Sequence, residues 1–187
     1  MAIFEESLRA KARYKTRLRT VRLPVAIDSA LEEEAGKRGI TTNSFIVSIL
    51  EKYEEWDRLA EKFRFIGFPM QLVREQFSLI KDPTDLKRFA HDFGAKIPKE
   101  MMLFWFKEVN LDSFLKYLSL QSKFQGYAEY ETVHKNEEIL IIAKHQLGAN
   151  WSIWLGAYLE EAIRSNLGVI PRVEYTDNTV TLEFEKR

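Results

Sequence analysis

Near the start of this chain ten residues, Lys15 to Pro24, read KTRLRTVRLP, with Lys and Arg interleaved among Leu, Val and Thr. The guanidinium groups of Arg17, Arg19 and Arg22 suit phosphate oxygens and other planar acceptors, so the chemistry on offer is recognition of a polyanion. Seven basic residues (Arg9, Lys11, Arg13, Lys15, Arg17, Arg19 and Arg22) stand against Glu5 and Glu6 in the first 22 positions, a balance of +5. The 187-residue chain has 28 basic and 28 acidic residues, so the remainder sums to −5. A basic arm on an acidic body implies an anionic partner at one end, or a solvated tail.

The other residues able to do chemistry are sparse. His91, His134 and His145 lack metal-ligand spacing. No cysteine is present, which removes disulfides, thiol catalysis and thiolate metal sites and fits a reducing, cytoplasmic setting. No glycine-rich phosphate loop, nucleophile elbow or paired carboxylates occur, so no enzyme, metal or cofactor is expected. His145 stands where a strand end meets a helix start, just before LGANWSIW, a place that favours anionic ligands. With Trp151 and Trp154 it forms a candidate effector site, and the run Met101–Phe106 is a further apolar wall. The plainer reading of the same residues is a hydrogen-bonded histidine and ordinary core.

These groups need elements to position them. Thr16 to Leu23 alternates like a strand and stops at Pro24. Ile27, Ala30, Leu31 and Ala35 follow helical spacing, with Gly39 as a left-handed cap. Thr41 or Thr42 caps a second helix. Its apolar seam Ile46, Ile49, Tyr53, Trp56, Ala60 and Phe63 predicts one helix from Thr42 to about Arg64. Gly67 and Pro69 mark the expected domain boundary. Beyond it come four helical stretches. One places Leu72, Val73, Phe77 and Ile80 on one side. Another runs from Asp82 to Gly94 as a stop. A third, Ile97–Asn110, is apolar enough to be deeply buried, and the last ends at Gly126. The final sixty residues predict two hairpins, turning at Lys135-Asn136 and Asp177-Asn178, on either side of an amphipathic helix from Asn150 to Gly168. Its expected buried face is Trp151, Trp154, Leu155, Tyr158, Leu159, Ala162 and Ile163. The fold class is therefore α+β, with a four-stranded antiparallel sheet covered by helices.

An alternating strand, RLP, a short helix, GITTNS and a second helix together resemble the ribbon-helix-helix family of DNA-binding proteins. The matching residues are Val21, Arg22, Leu23, Pro24, Ile27, Leu31, Ala35, Gly39, Ile40, Asn43, Ser44, Ile46 and Tyr53, within residues 16 to 54. The resemblance implies that two protomers pair their strands as an antiparallel ribbon seated in the major groove of double-stranded DNA. Parity then assigns Val21 and Leu23 to the dimer core and Leu18, Thr20 and Arg22 to the bases. Leu18 and Arg19 depart from the family's pattern, the first as an apolar residue facing bases, the second as a charge on the core side. Arg13, Lys15, Arg17 and Arg19 are candidate phosphate contacts. So are Thr42, Asn43 and Ser44, through free N–H groups at the second helix start.

The expected organisation is a flexible basic arm at 1–15, a ribbon-helix-helix domain with an extended second helix at 16–66, and an α+β sensing or oligomerisation domain at 67–187. The expected function is a cytoplasmic, homodimeric transcriptional regulator, such as a repressor, that reads a palindromic operator. It could assemble into higher homo-oligomers and respond to a small-molecule effector passed along the long helix. No apolar run long enough for a transmembrane helix occurs. An antitoxin-like module that grips a partner protein is the alternative from another class.

Overall fold

The computed structural model describes residues 16–186. The arm, including Arg13 and Lys15, lies outside the described residues. The chain separates into two compact units, one ending at Ile49 and one beginning at Leu50.

In the N-terminal unit, residues 16–24 have no regular secondary structure. The strand expected at Thr16 to Leu23 is not formed within the single chain, because a strand needs a neighbour for its N–H and C=O groups. Helix α1 (Val25–Lys37) begins directly after Pro24 and ends with Gly39 at φ 66°. There the Ile40 N–H donates to the Ala35 carbonyl across the left-handed cap, as expected for this glycine. Helix α2 (Thr42–Lys52) is capped by Thr41, whose Oγ1 accepts from the Ser44 N–H at 3.1 Å.

Past α2 the backbone stays helical but changes pitch. A π turn (Tyr53–Asp57), α3 (Arg58–Ala60) and a 3-10 turn (Glu61–Phe63) carry it to Arg64, which is left-handed at φ 53°. The helix therefore ends where the seam predicted, but the seam is not one buried stripe: Tyr53 is 53% exposed and Trp56 only 7%. The Trp56 ring lies 5.6 Å from Trp105 and 5.8 Å from Phe124. The Glu55 carbonyl accepts from Trp105 Nε1 at 3.2 Å, and its carboxylate meets Lys123 at 2.5 Å. These contacts make the helix end part of the C-terminal unit, so the units divide ahead of the boundary expected at Gly67.

The rest of the C-terminal unit is α4 (Met70–Ser78), α5 (Pro83–Gly94), α6 (Ile97–Phe106), α7 (Leu111–Phe124), β1 (Glu129–Lys135), β2 (Glu138–Lys144), α8 (Ala149–Leu167), β3 (Arg172–Tyr175) and β4 (Thr179–Glu185). The strands form one antiparallel sheet in the order β1-β2-β4-β3. Register places Ile139 opposite Phe184, Ile141 opposite Leu182 and Ala143 opposite Val180, all buried on one face. The central strands thus alternate buried and exposed, while charged residues such as Glu131 and Glu174 occupy the outer strands, which discourages edge pairing.

Helix α8 covers that face and is buried on more sides than its amphipathic pattern predicts. Ser152 and Glu161 are buried along with Leu155, Leu159 and Ile163, because α8 is packed between the sheet and α5. Gly94 ends α5 as expected and also permits that packing. A Cβ there would lie 2.4 Å from the Tyr158 carbonyl oxygen. One further expectation is corrected. Helix α6 is only partly buried, with Leu103 44% exposed, because its aromatic end forms a ring cluster at the surface. Helix α4 buries none of its residues, and Leu72 and Ile80 stay exposed.

Candidate functional site

Each unit carries one candidate site. In the N-terminal unit Leu18, Thr20 and Arg22, the set expected to face bases, are exposed, as are Arg17 and Arg19. The residues expected to close a core are exposed too, Val21 at 72%, Leu23 at 38% and Ile27 at 50%, and so is Val25 at 82%. Among the described residues of this unit only Ala35 and Phe45 are buried. Two helices of this size cannot bury enough apolar surface to offset chain entropy unless another surface covers them. At the start of α2 the three N–H groups expected to hold phosphate are not equivalent. That of Ser44 is taken by Thr41 Oγ1, leaving Thr42 and Asn43 at the helix terminus, where orphan N–H groups and the helix dipole favour anions.

The second site is a cavity of about 490 Å³ inside the C-terminal unit. Its walls come from four directions. Trp56 and the irregular segment 65–69 form one side, with Met70 and Val73 of α4. Met101 of α6 and Tyr117 and Gln121 of α7 form another. Gly126, left-handed at φ 72°, ends α7 at the rim. Trp151, Trp154 and Tyr158 project from successive turns of α8. This size falls in the usual range of about 300–1,000 Å³ for small-molecule pockets.

Two features hold the walls. Asn150 Nδ2 donates to the carbonyls of Phe77 and Ile80, both at 2.8 Å, pinning the end of α4 to the start of α8. Phe77 meets Trp151 edge-on at 4.7 Å. On the opposite wall, the Tyr117 and Tyr158 hydroxyls are 2.8 Å apart. Gln121 Nε2 donates to Tyr117, and Gln121 Oε1 accepts from the Tyr130 hydroxyl at 3.5 Å. Burial pushes the Tyr117 and Tyr158 phenols well above the ordinary range, so both stay protonated and neutral. Trp151 Nε1, Trp154 Nε1 and Gln125 Oε1 are buried without a hydrogen-bond partner.

Of the candidate effector residues, Trp151 and Trp154 line this cavity and His145 does not. His145 is 8% exposed; its Nδ1 accepts from the Leu147 N–H at 3.2 Å, which leaves the proton on Nε2, 2.9 Å from Ser152 Oγ. Burial lowers its pKa, consistent with a neutral ring that ties the end of β2 to α8. Of the run Met101–Phe106, only Met101 reaches the cavity. Sequence reasoning missed Tyr117, Gln121 and Tyr158 as a polar set. A signal was present: Tyr117 and Gln121 lie four residues apart on a helix whose same face carries Phe114 and Leu118, and a polar pair inside an apolar stripe needs a partner. Among the described residues no helix is long and apolar enough to cross a membrane. The chain matches no protein-family model and no curated protein.

Proposed function

We propose that this chain is a homodimeric, site-specific DNA-binding transcriptional regulator whose C-terminal unit senses a small molecule. The observation that carries this reading is the N-terminal unit's lack of a core: Val21, Val25 and Ile27 are exposed beside a run of arginines. A second copy supplies both missing partners at once. Two copies of residues 16–23 pair as an antiparallel ribbon, which satisfies their backbone and buries Val21 and Leu23. The opposite parity then presents Leu18, Thr20 and Arg22 to the major groove. Arg22 bonds the O6/N7 edge of guanine, while Arg17, Arg19 and the starts of both α2 helices hold phosphates. Arg13 and Lys15 of the arm add further phosphate contacts, which gives the complex a steep salt dependence.

The test is selection of duplexes from a randomised pool, followed by fluorescence anisotropy with the enriched sequence. Arg22→Ala should lose about 1–3 kcal/mol of discrimination at one position of each half-site. Sedimentation should show a dimer that Val21→Asp dissociates. No enriched sequence, or an Arg22→Ala protein with unchanged affinity and preference, would overturn the reading.

A further inference from the structure

We propose that the C-terminal cavity binds a neutral, largely apolar molecule that presents a carbonyl-type oxygen to the wall. The proposal deepens the sensing role given above and rests on it for its regulatory meaning, although binding itself requires no DNA.

The charge follows from the walls. Among the described residues no Lys, Arg, His, Asp or Glu lines the cavity. An ion entering it would shed water with no countercharge in return, which is among the most costly transfers available to a buried group. The phenols cannot compensate, since burial keeps Tyr117 and Tyr158 protonated.

The acceptor follows from counting protons. Gln121 Nε2 donates to the Tyr117 oxygen, and the Tyr117 and Tyr158 hydroxyls share one hydrogen bond. If Tyr117 donates to Tyr158, the Tyr158 proton has no acceptor in that set. If Tyr158 donates, the Tyr117 proton is the one left over. Either way one phenolic O–H of the pair is uncommitted. The indole N–H groups of Trp151 and Trp154 are also unpartnered, and Gln125 Oε1 is the single unpartnered acceptor among these wall residues. Among these buried side-chain atoms, unpartnered donors outnumber unpartnered acceptors. A ligand that brings an oxygen lone pair satisfies one of those donors, and a hydrocarbon does not.

The apolar body of the ligand follows from the mouth. Phe65, Ile66, Phe68 and Met70 line the cavity yet remain 42%, 75%, 55% and 46% exposed. The first three sit on a segment without regular structure, and Met70 opens the helix that follows, which has no buried residue. An aromatic or alicyclic occupant gives these side chains a surface to cover.

Three probes of one shape separate the claims: 2-acetylnaphthalene, 2-ethylnaphthalene and 2-naphthoate. Each is titrated into the full chain by calorimetry, with quenching of tryptophan fluorescence as the second readout. The ketone should bind. The hydrocarbon should bind about fivefold more weakly, for want of one net hydrogen bond. The carboxylate should bind more than about tenfold more weakly, for its charge. The Tyr117→Phe/Tyr158→Phe double variant should erase the ketone's advantage over the hydrocarbon. Equal affinity for ketone and carboxylate, equal affinity for ketone and hydrocarbon, or no binding of any probe overturns the proposal on wild-type protein alone, however the variant folds. Ketone binding without DNA binding would sink the regulator reading and leave this one intact; DNA binding with no probe binding would do the reverse.

Discussion

Replacing Gly94 by Ala tests the packing of α5 on α8, which positions two walls of the cavity. The alanine Cβ would sit 2.4 Å from the Tyr158 carbonyl oxygen and 3.1 Å from Glu161 Cβ. Neither can swing away, since one is backbone and the other is the first atom of a buried side chain. Bringing the 2.4 Å contact to the 3.0 Å limit moves one helix by at least ~0.6 Å. Over-packing of this kind costs about 1–3 kcal/mol, and the upper part applies to a clash with backbone. Against it, Gly→Ala in a helix gains at most about 1 kcal/mol. The net expectation is a loss of about 2 kcal/mol. Gly156→Ala, in the middle of α8, is the internal control. Its Cβ would meet Val173, Val180 and Tyr175 side chains at 3.4, 3.5 and 3.6 Å, ordinary contacts, so stability should rise by about 0.5–1 kcal/mol. Urea denaturation followed by circular dichroism and by tryptophan fluorescence measures both, with coincident curves as the check on a single transition. A Gly94→Ala protein as stable as wild type, or the same sign of change at both positions, would refute the reasoning.

Three further outcomes are expected. Asn150→Ala removes both bonds that hold the end of α4, so amide exchange should quicken across Met70–Ser78 with a global loss of only about 1–2 kcal/mol; unchanged exchange there would show that Phe77 alone holds the helix. His145 has its pKa lowered by burial, so the unfolded chain binds its proton more readily. Its contribution is complete above the ordinary histidine value of 6.5 and falls away as pH drops below it, and thermal melts between pH 8 and 5 should show this in wild type but not in His145→Gln. Burial would raise the Glu161 carboxyl, but hydrogen bonds from Ser165 and Arg164, helped by the charges of Arg164 and His91, bring it below 4.5 instead. Its contribution is therefore present above that value and lost as pH falls further, so Glu161→Gln should flatten the acid limb of the stability curve, and an acid limb identical to wild type would contradict it.

Much of the local structure was legible because it depends on neighbours in the chain. Asp82 before Pro83 starts α5, with the carboxylate accepting from the Thr84 N–H at 2.8 Å. Gly39 and Gly168 end their helices in the left-handed conformation that glycine adopts without the cost of a Cβ. Asn136 turns the first hairpin at φ 54°, and Asp177-Asn178 turn the second. The candidate site was legible only in fragments. Trp151 and Trp154 were named for their place at a helix start and do line the cavity. His145 was named by the same argument, but its ring turns to Leu147 and Ser152. A strand-end position says where a residue sits, not which neighbour competes for its side chain.

The sequence by itself determined the punctuation of the helices, the two hairpins, the sheet-plus-helix class and the concentration of positive charge ahead of Pro24. Each of these is set by turn chemistry, periodicity or composition over a few adjacent residues. Only the tertiary structure decided that Trp56 belongs with Trp105 and Phe124, that Gly94 is a contact point as well as a helix end, and that Tyr117 and Tyr158 share a bond across 41 residues. Those facts depend on which surfaces meet after the chain collapses. Apolar attraction is non-directional, so the pattern of apolar residues says that surfaces will be buried, and packing alone selects the partner.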